Sequence, residues 1–144
     1  MTQMRRQTSL ANDGATVLAP ANDRPAAIVY YDGACPLCRL EIGYYKSRDR
    51  LRAIRFVDVS RADADTGNNL ERAAAMARFH VRQGNGELVS GAQGFVAVWR
   101  VLPRWRVLAH IARAPGVLLA LEGAYRAFLQ VRPFISAHLR RAGY

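Results

Sequence analysis

The period of apolar and polar positions changes several times along this chain, and each change marks an element. Ala26 to Tyr31 is a nearly continuous apolar run, short enough for a strand buried on both faces. Asp32-Gly33 ends it, because glycine accepts backbone conformations closed to other residues and aspartate bonds backbone N–H groups ahead of it. From Pro36 to about Arg48, Leu37, Leu40, Tyr44 and Tyr45 recur at helical spacing, with Arg39, Glu41, Lys46 and Arg48 mostly elsewhere. That pattern predicts a first helix with those four side chains on its apolar face. Ile54 to Val59 predicts a second strand, and a polar, Asp-rich loop leads from Ser60 into a short helix around Asn69 to Ala77.

Alternation then replaces the helical period. Phe79 and Val81 alternate with Arg78, His80 and Arg82, and Glu87 to Ser90 returns as a partner strand. Between them Gly84-Asn85-Gly86 predicts a hairpin whose Asn-Gly suits positive φ at both central positions. Gly91 and Gly94 surround the entry to a helix in which Phe95, Val98, Trp99 and Leu102 share a face before Pro103. Trp105, Leu108, Ile111 and Ala112 continue in a helix that Pro115-Gly116 ends. Val117, Leu118, Leu121, Tyr125, Phe128 and Leu129 form a last apolar stripe, which Pro133 is expected to bend or end.

The order is β-α-β-α-β-β-α with further helices, an α/β chain whose length and 51% hydrophobic content fit one domain. The domain is expected over 25–144, with a helical extension from about residue 103. Residues 1–24 mix small and polar groups with few large apolar ones, and are expected to be a flexible tail. They also lack the apolar run of a secretory signal, which predicts an intracellular protein. The apolar stretch from Gly116 is interrupted by Glu122 and Arg126, too soon for a transmembrane helix.

Both cysteines stand in one stretch, Asp32-Gly33-Ala34-Cys35-Pro36-Leu37-Cys38. Pro36 fits the first helical position, where its missing N–H had no partner to lose, so Cys35 falls at or beside the N-cap. Cys38 lies one turn on along the same face, and the two sulfurs can reach bonding distance with little backbone movement. A pair so local constrains almost nothing in an unfolded chain, so a framework disulfide is not its use. Cys35, where free N–H groups and the helix dipole favour negative charge, should be the attacking thiolate. Cys38 would then resolve the mixed disulfide.

These residues carry a resemblance. The element order with the thiols at the start of the first helix resembles the thioredoxin fold over about Ala26 to Leu102. More narrowly, the stretch Tyr31 to Arg39, with Phe56-Val57-Asp58, His80-Val81, Gly91, Tyr125 and Arg132, resembles the DCC family of thiol-disulfide oxidoreductases. The family is named for the residues that stand here as Asp32, Cys35 and Cys38. The resemblance implies a thioredoxin-like sandwich and thiol-disulfide exchange, with no cofactor. Thioredoxin-like proteins carry a proline before the third strand that faces the cysteines and pairs with bound peptide, whereas Met76-Ala77-Arg78-Phe79 has none. A small thiol such as glutathione, or a dedicated protein partner, therefore becomes the expected substrate.

Asp32 has two readings: a turn cap, or a carboxylate that accepts the Cys38 proton during resolution while opposing the Cys35 thiolate. Arg39 could offset its charge. A metal or cluster held by the cysteines is a different reading, for which only His80, His110 and His138 offer further ligands, His80 being the one expected near the thiols. Net charge is +10, from twenty arginines and Lys46 against eleven acids. From Arg100 onward eight arginines face one acid, Glu122, so a basic surface for an anionic membrane or an acidic partner is an alternative to solvated helix faces. An Arg- and Ala-rich, Lys-poor composition is that of a GC-rich bacterial genome, so a bacterial cytoplasmic protein with no nucleic-acid partner is expected.

Overall fold

The computed structural model describes residues 24–144. The expected tail lies, but for Arg24, outside the described residues. Ten short elements follow in order: β1 (Ala27–Tyr31), α1 (Pro36–Arg48), β2 (Ile54–Asp58), α2 (Arg72–Ala77), β3 (His80–Gln83), β4 (Leu88–Ser90), α3 (Ala92–Val101), a 3-10 turn (Pro103–Trp105), α4 (Arg106–Ile111) and α5 (Val117–Arg141). The four strands form one sheet in the order β2-β1-β3-β4, with β1 parallel to β2 and the β1-β3 and β3-β4 pairs antiparallel. This is the expected thioredoxin-like α/β arrangement.

The strand carrying the site is central and covered on both faces. Val29 sits between Phe56 and Val81 in the register and is wholly buried, in a cluster with Ile42 and Tyr45 of α1 and Ala97 and Val98 of α3. Tyr30 points the other way, into a second cluster with Val59, Leu70 and Ala75. Continuous apolar sequence in β1 thus reflects burial on two sides.

Several details differ from the sequence pattern. In α1 the buried side chains are Pro36, Ile42 and Tyr45, the last as expected, whereas Leu40 is 49% and Tyr44 42% exposed. Cys38, Ile42 and Tyr45 follow each other at four and three residues, and it is this row that faces the sheet; Tyr44 instead packs edge-on against Trp105 beneath Arg48. α2 starts at Arg72, later than expected, because Asn69 takes a left-handed φ of 63° that no helix can run through. In the hairpin only Gly86 has positive φ, at 89°. Gln83 bonds Glu87 and Gly86 bonds Gln83, so the connection is a three-residue loop with one left-handed glycine, and Asn85 caps it by accepting from Glu87 N–H. Trp105 belongs to the 3-10 turn, and α4 begins after it.

Pro133 does not end the last helix. α5 continues through it to Arg141, although proline cannot donate to the carbonyl four residues back. Docking offsets that lost bond: α5 packs along α1, and the turn after Pro133 buries Ser136 to 4% exposure against Cys35. At its other end α5 is tied to the approach to β3. Tyr125 Oη accepts from Phe79 N–H at 2.8 Å, and Glu122 pairs with Arg78 while accepting from Ala92 N–H at the start of α3.

Candidate active site

The turn after β1 is fixed from both sides. Ala34 N–H donates to Asp32 Oδ1 at 2.9 Å and Cys35 N–H to the Asp32 carbonyl at 3.2 Å, while Gly33 N–H donates to Asp58 Oδ1 at 2.9 Å. Asp58 also accepts from Ser60 N–H and its hydroxyl. Gly33 is required for close approach, since a Cβ there would stand 2.0 Å from Asp58 Oδ2. The turn delivers Cys35 to the N-cap of α1 with extended backbone and Pro36 in the first turn. Its sulfur itself caps the helix, accepting from Cys38 N–H at 3.4 Å. Both thiols are free.

From the opposite side α5 brings two polar groups. Ser136 Oγ lies 3.3 Å from Cys35 Sγ, and Arg132 Nη2 donates to Asp32 Oδ2 at 3.2 Å in an ion pair whose side chains are 17% and 15% exposed. Burial opposes a Cys35 thiolate, but hydrogen bonding from Cys38, Ser136 and Arg132 outweighs it and holds the thiol below its ordinary value. Cys38 goes the opposite way: burial, then the hydrogen bond to Cys35 and the negative charges of Cys35 and Asp32, push it up to about 12, against the pull of Arg132. The two sulfurs are therefore unlike, one prepared to ionise and one held as the thiol.

Two spaces adjoin them. An open groove of about 360 Å³ runs over Cys35 between Met76-Ala77 and the α5 residues Arg132, Ser136 and Arg140. A small cavity of about 40 Å³ lies behind Cys38, lined among others by Glu41, Tyr125 and Arg132. Burial raises the Glu41 carboxyl above its usual range, with Tyr45 and Arg132 favouring the charged form.

The pattern that describes the DCC1-like thiol-disulfide oxidoreductase family matches residues 29–137, which take in all but the first two residues of the sheet, both cysteines and the α5 residues over them. The chain belongs to this family. An uncharacterized chloroplastic protein of Arabidopsis thaliana is 35% identical over 68 residues, 45% of this chain and 32% of the plant protein. The chain thus spans about a third of that relative's length. No solved structure matches it.

Of the residues singled out in the sequence of this DCC1-like chain, Asp32, Cys35 and Cys38 come together. Arg39 does not reach Asp32; it is exposed and donates to the Gly33 carbonyl at 3.1 Å, and Arg132 supplies the counter-charge that Arg39 could have offered. His80 turns its Nδ1 to the Arg78 carbonyl at 2.7 Å and lines neither space beside the thiols. Among the described residues no group of three or more His, Cys, Asp or Glu converges to hold a metal ion. Sequence reasoning missed Ser136 and Glu41, and met Arg132 only through the family resemblance. One signal was present: Tyr125, Leu129, Arg132 and Ser136 continue a helical row, so the two polar residues interrupt an apolar stripe in phase.

The basic end stands apart from this chemistry. Arg104, Arg106 and Arg113 are exposed and line neither space beside the cysteines. Changing all three to glutamine is expected to leave reaction with a neutral small disulfide within about twofold, because exposed charges at a distance are screened. A tenfold loss in stopped-flow kinetics would tie them to the site. No helix of the described residues is long and apolar enough to cross a membrane.

Proposed function

We propose that this protein exchanges disulfides through Cys35 and Cys38. The Cys35 thiolate attacks one sulfur of a disulfide R–S–S–R, forming a mixed disulfide and releasing R–S⁻. The Cys38 thiol loses its proton and attacks Cys35 Sγ; the second R–S⁻ leaves and a Cys35–Cys38 disulfide remains. Two electrons pass from the protein dithiol to the substrate, and an external dithiol or thiol pair must return them; with the reverse order of steps the protein is an oxidant. The observation that carries this reading is the unlike pair: Cys35 as a helix cap with Ser136 over it and Arg132 beside it, Cys38 buried one turn on.

The substrate we favour is a small thiol or disulfide, or a dedicated partner that fits the groove over Cys35. The chain has no proline before β3, and the Phe79 N–H at that place is already bonded to Tyr125. An extended peptide would find that donor occupied. Asp32 is assigned the turn and the pairing of Arg132.

Equilibration with glutathione buffers of graded ratio, quenched by alkylation and read by mass, tests the reading. An intramolecular disulfide should form with a midpoint in the span of known dithiol enzymes, roughly −120 to −270 mV. Failure to form it at any ratio would refute exchange through this pair.

A further inference from the structure

Resolution of the mixed disulfide demands a proton acceptor. Cys38 sits as a thiol pushed up to about 12. Formation of the mixed disulfide removes the Cys35 charge from its surroundings, but burial and Asp32 remain to oppose its ionisation. Asp32 is poorly placed to help, since its carboxylate is committed to Arg132 and to Ala34 N–H. Glu41 is differently situated. It stands three residues after Cys38 on α1, so the two side chains share a face, and both line the cavity of about 40 Å³ behind the thiols. Among the described residues no arginine or lysine forms an ion pair with it: Arg132 is engaged by Asp32 and Arg78 by Glu122.

We propose that Glu41 is the base of the second step, taking the proton of Cys38 across the cavity they share. The cavity walls are mostly apolar, but Asp32, Glu41, Arg78 and Arg132 reach into them and there is room for about one or two waters held by those groups, so direct contact is not required. The proton passes from Cys38 Sγ to a Glu41 carboxylate oxygen, the sulfur's electron pair forms the bond to Cys35 Sγ, and the bond from Cys35 to the substrate sulfur breaks. R–S⁻ leaves with that bond's electrons and is protonated by solvent; Glu41 later returns its proton to solvent. This assignment rests on the exchange reading above and gives Glu41 a role that reading leaves open.

The groups facing Glu41 bear on its pH behaviour. Cys38 and Tyr45 come from its own helix, Tyr30, Tyr31 and Asp32 from β1 and its turn, Arg78 from the approach to β3, and Tyr125 and Arg132 from α5. Burial opposes the carboxylate and prevails over the Tyr45 hydrogen bond and the charge of Arg132, which favour it, so Glu41 protonates above the usual carboxylate range. As pH falls through that point the base is lost, and resolution should slow.

Dithiodipyridine, a neutral disulfide whose released thione absorbs, separates the steps in stopped flow as two successive equivalents. Glu41→Gln should form the mixed disulfide no more slowly than the native protein, yet release the second equivalent on the order of a hundredfold more slowly at neutral pH. Glu41→Asp should recover part of that rate. In the native protein the second step should rise with pH through an inflection above the usual carboxylate range, and in Glu41→Gln that inflection should vanish. Normal first-phase kinetics with an unchanged second phase and pH profile in Glu41→Gln would overturn the role of Glu41 alone. Absence of a first phase in the native protein would overturn exchange itself and this proposal with it. Should Glu41→Gln fail to fold, the native profile still decides, because a second phase without an inflection above the usual carboxylate range contradicts a carboxylate base in this setting.

Discussion

Cys38→Ser should stop the reaction at its midpoint, whereas Cys35→Ser should stop it before it begins. In the first variant the favoured thiolate remains: Cys35 still caps α1 through Cys38's backbone N–H, which serine retains, and Ser136 still lies over its sulfur. Mixed disulfides should accumulate at Cys35 and persist, visible as a mass increase that reducing agent reverses. In the second variant the remaining thiol is Cys38, which loses the contribution of Cys35 but is still held up by burial and Asp32 and is turned from the groove toward the inner cavity, so little is ionised to attack anything. The two should differ in trapping by more than about a hundredfold, the scale on which a thiolate outreacts a thiol held protonated. Comparable trapping by both would mean that either sulfur can begin the reaction, and the assignment of roles would fall.

What the sequence made legible in this site is what is local. Strand, Asp-Gly turn, Cys35 and first-turn proline lie within about ten residues, and each states its own backbone preference, so the start of α1 could be placed to the residue. The order of elements along the chain followed from the change of period, and the hairpin of β3 and β4 from its glycines. What the sequence left unread comes from contacts across the chain. Arg132 and Ser136 meet Asp32 and Cys35 over separations of 100 and 101 residues, and no spacing rule announces such a meeting. Pro133 hid it further, since an interior proline argues for a helix end and the docking that carries α5 onward is tertiary. The inward face of α1 was misjudged for a related reason. Tyr45 was read inward and is buried, but Ile42 is as apolar as Leu40, and only the covering of the row of Cys38, Ile42 and Tyr45 by α5 and the sheet selects it over Leu40 and Tyr44.

Arg132→Met should move the reactivity of Cys35 to higher pH. Arg132 does two things at once: it pairs with Asp32 at 3.2 Å and it favours the Cys35 thiolate. Methionine fills much of the volume but leaves the Asp32 carboxylate, only 15% exposed, without its counter-charge in the turn that carries Cys35. Both losses act against the thiolate. A thiol whose value is held down ionises early, so its alkylation rate climbs with pH and levels off below the ordinary thiol value; with the cation gone, the climb should come later by about one to two pH units. Below the native inflection this is a tenfold to hundredfold slower reaction, and at high pH the rates converge. Measured with iodoacetamide in a Cys38→Ser background, the shift reports on Cys35 alone. Stability should also fall by roughly 1–3 kcal/mol, since a sheltered carboxylate has lost its partner. Asp32→Asn added to Arg132→Met separates the two effects: it removes the stranded charge and should recover most of the stability, while recovering only the part of the pH shift that Asp32 caused. An inflection unmoved by Arg132→Met, in protein that folds normally, would show that Ser136 and the helix start suffice to ionise Cys35, and Arg132 would be left as the clasp that holds α5 over the turn.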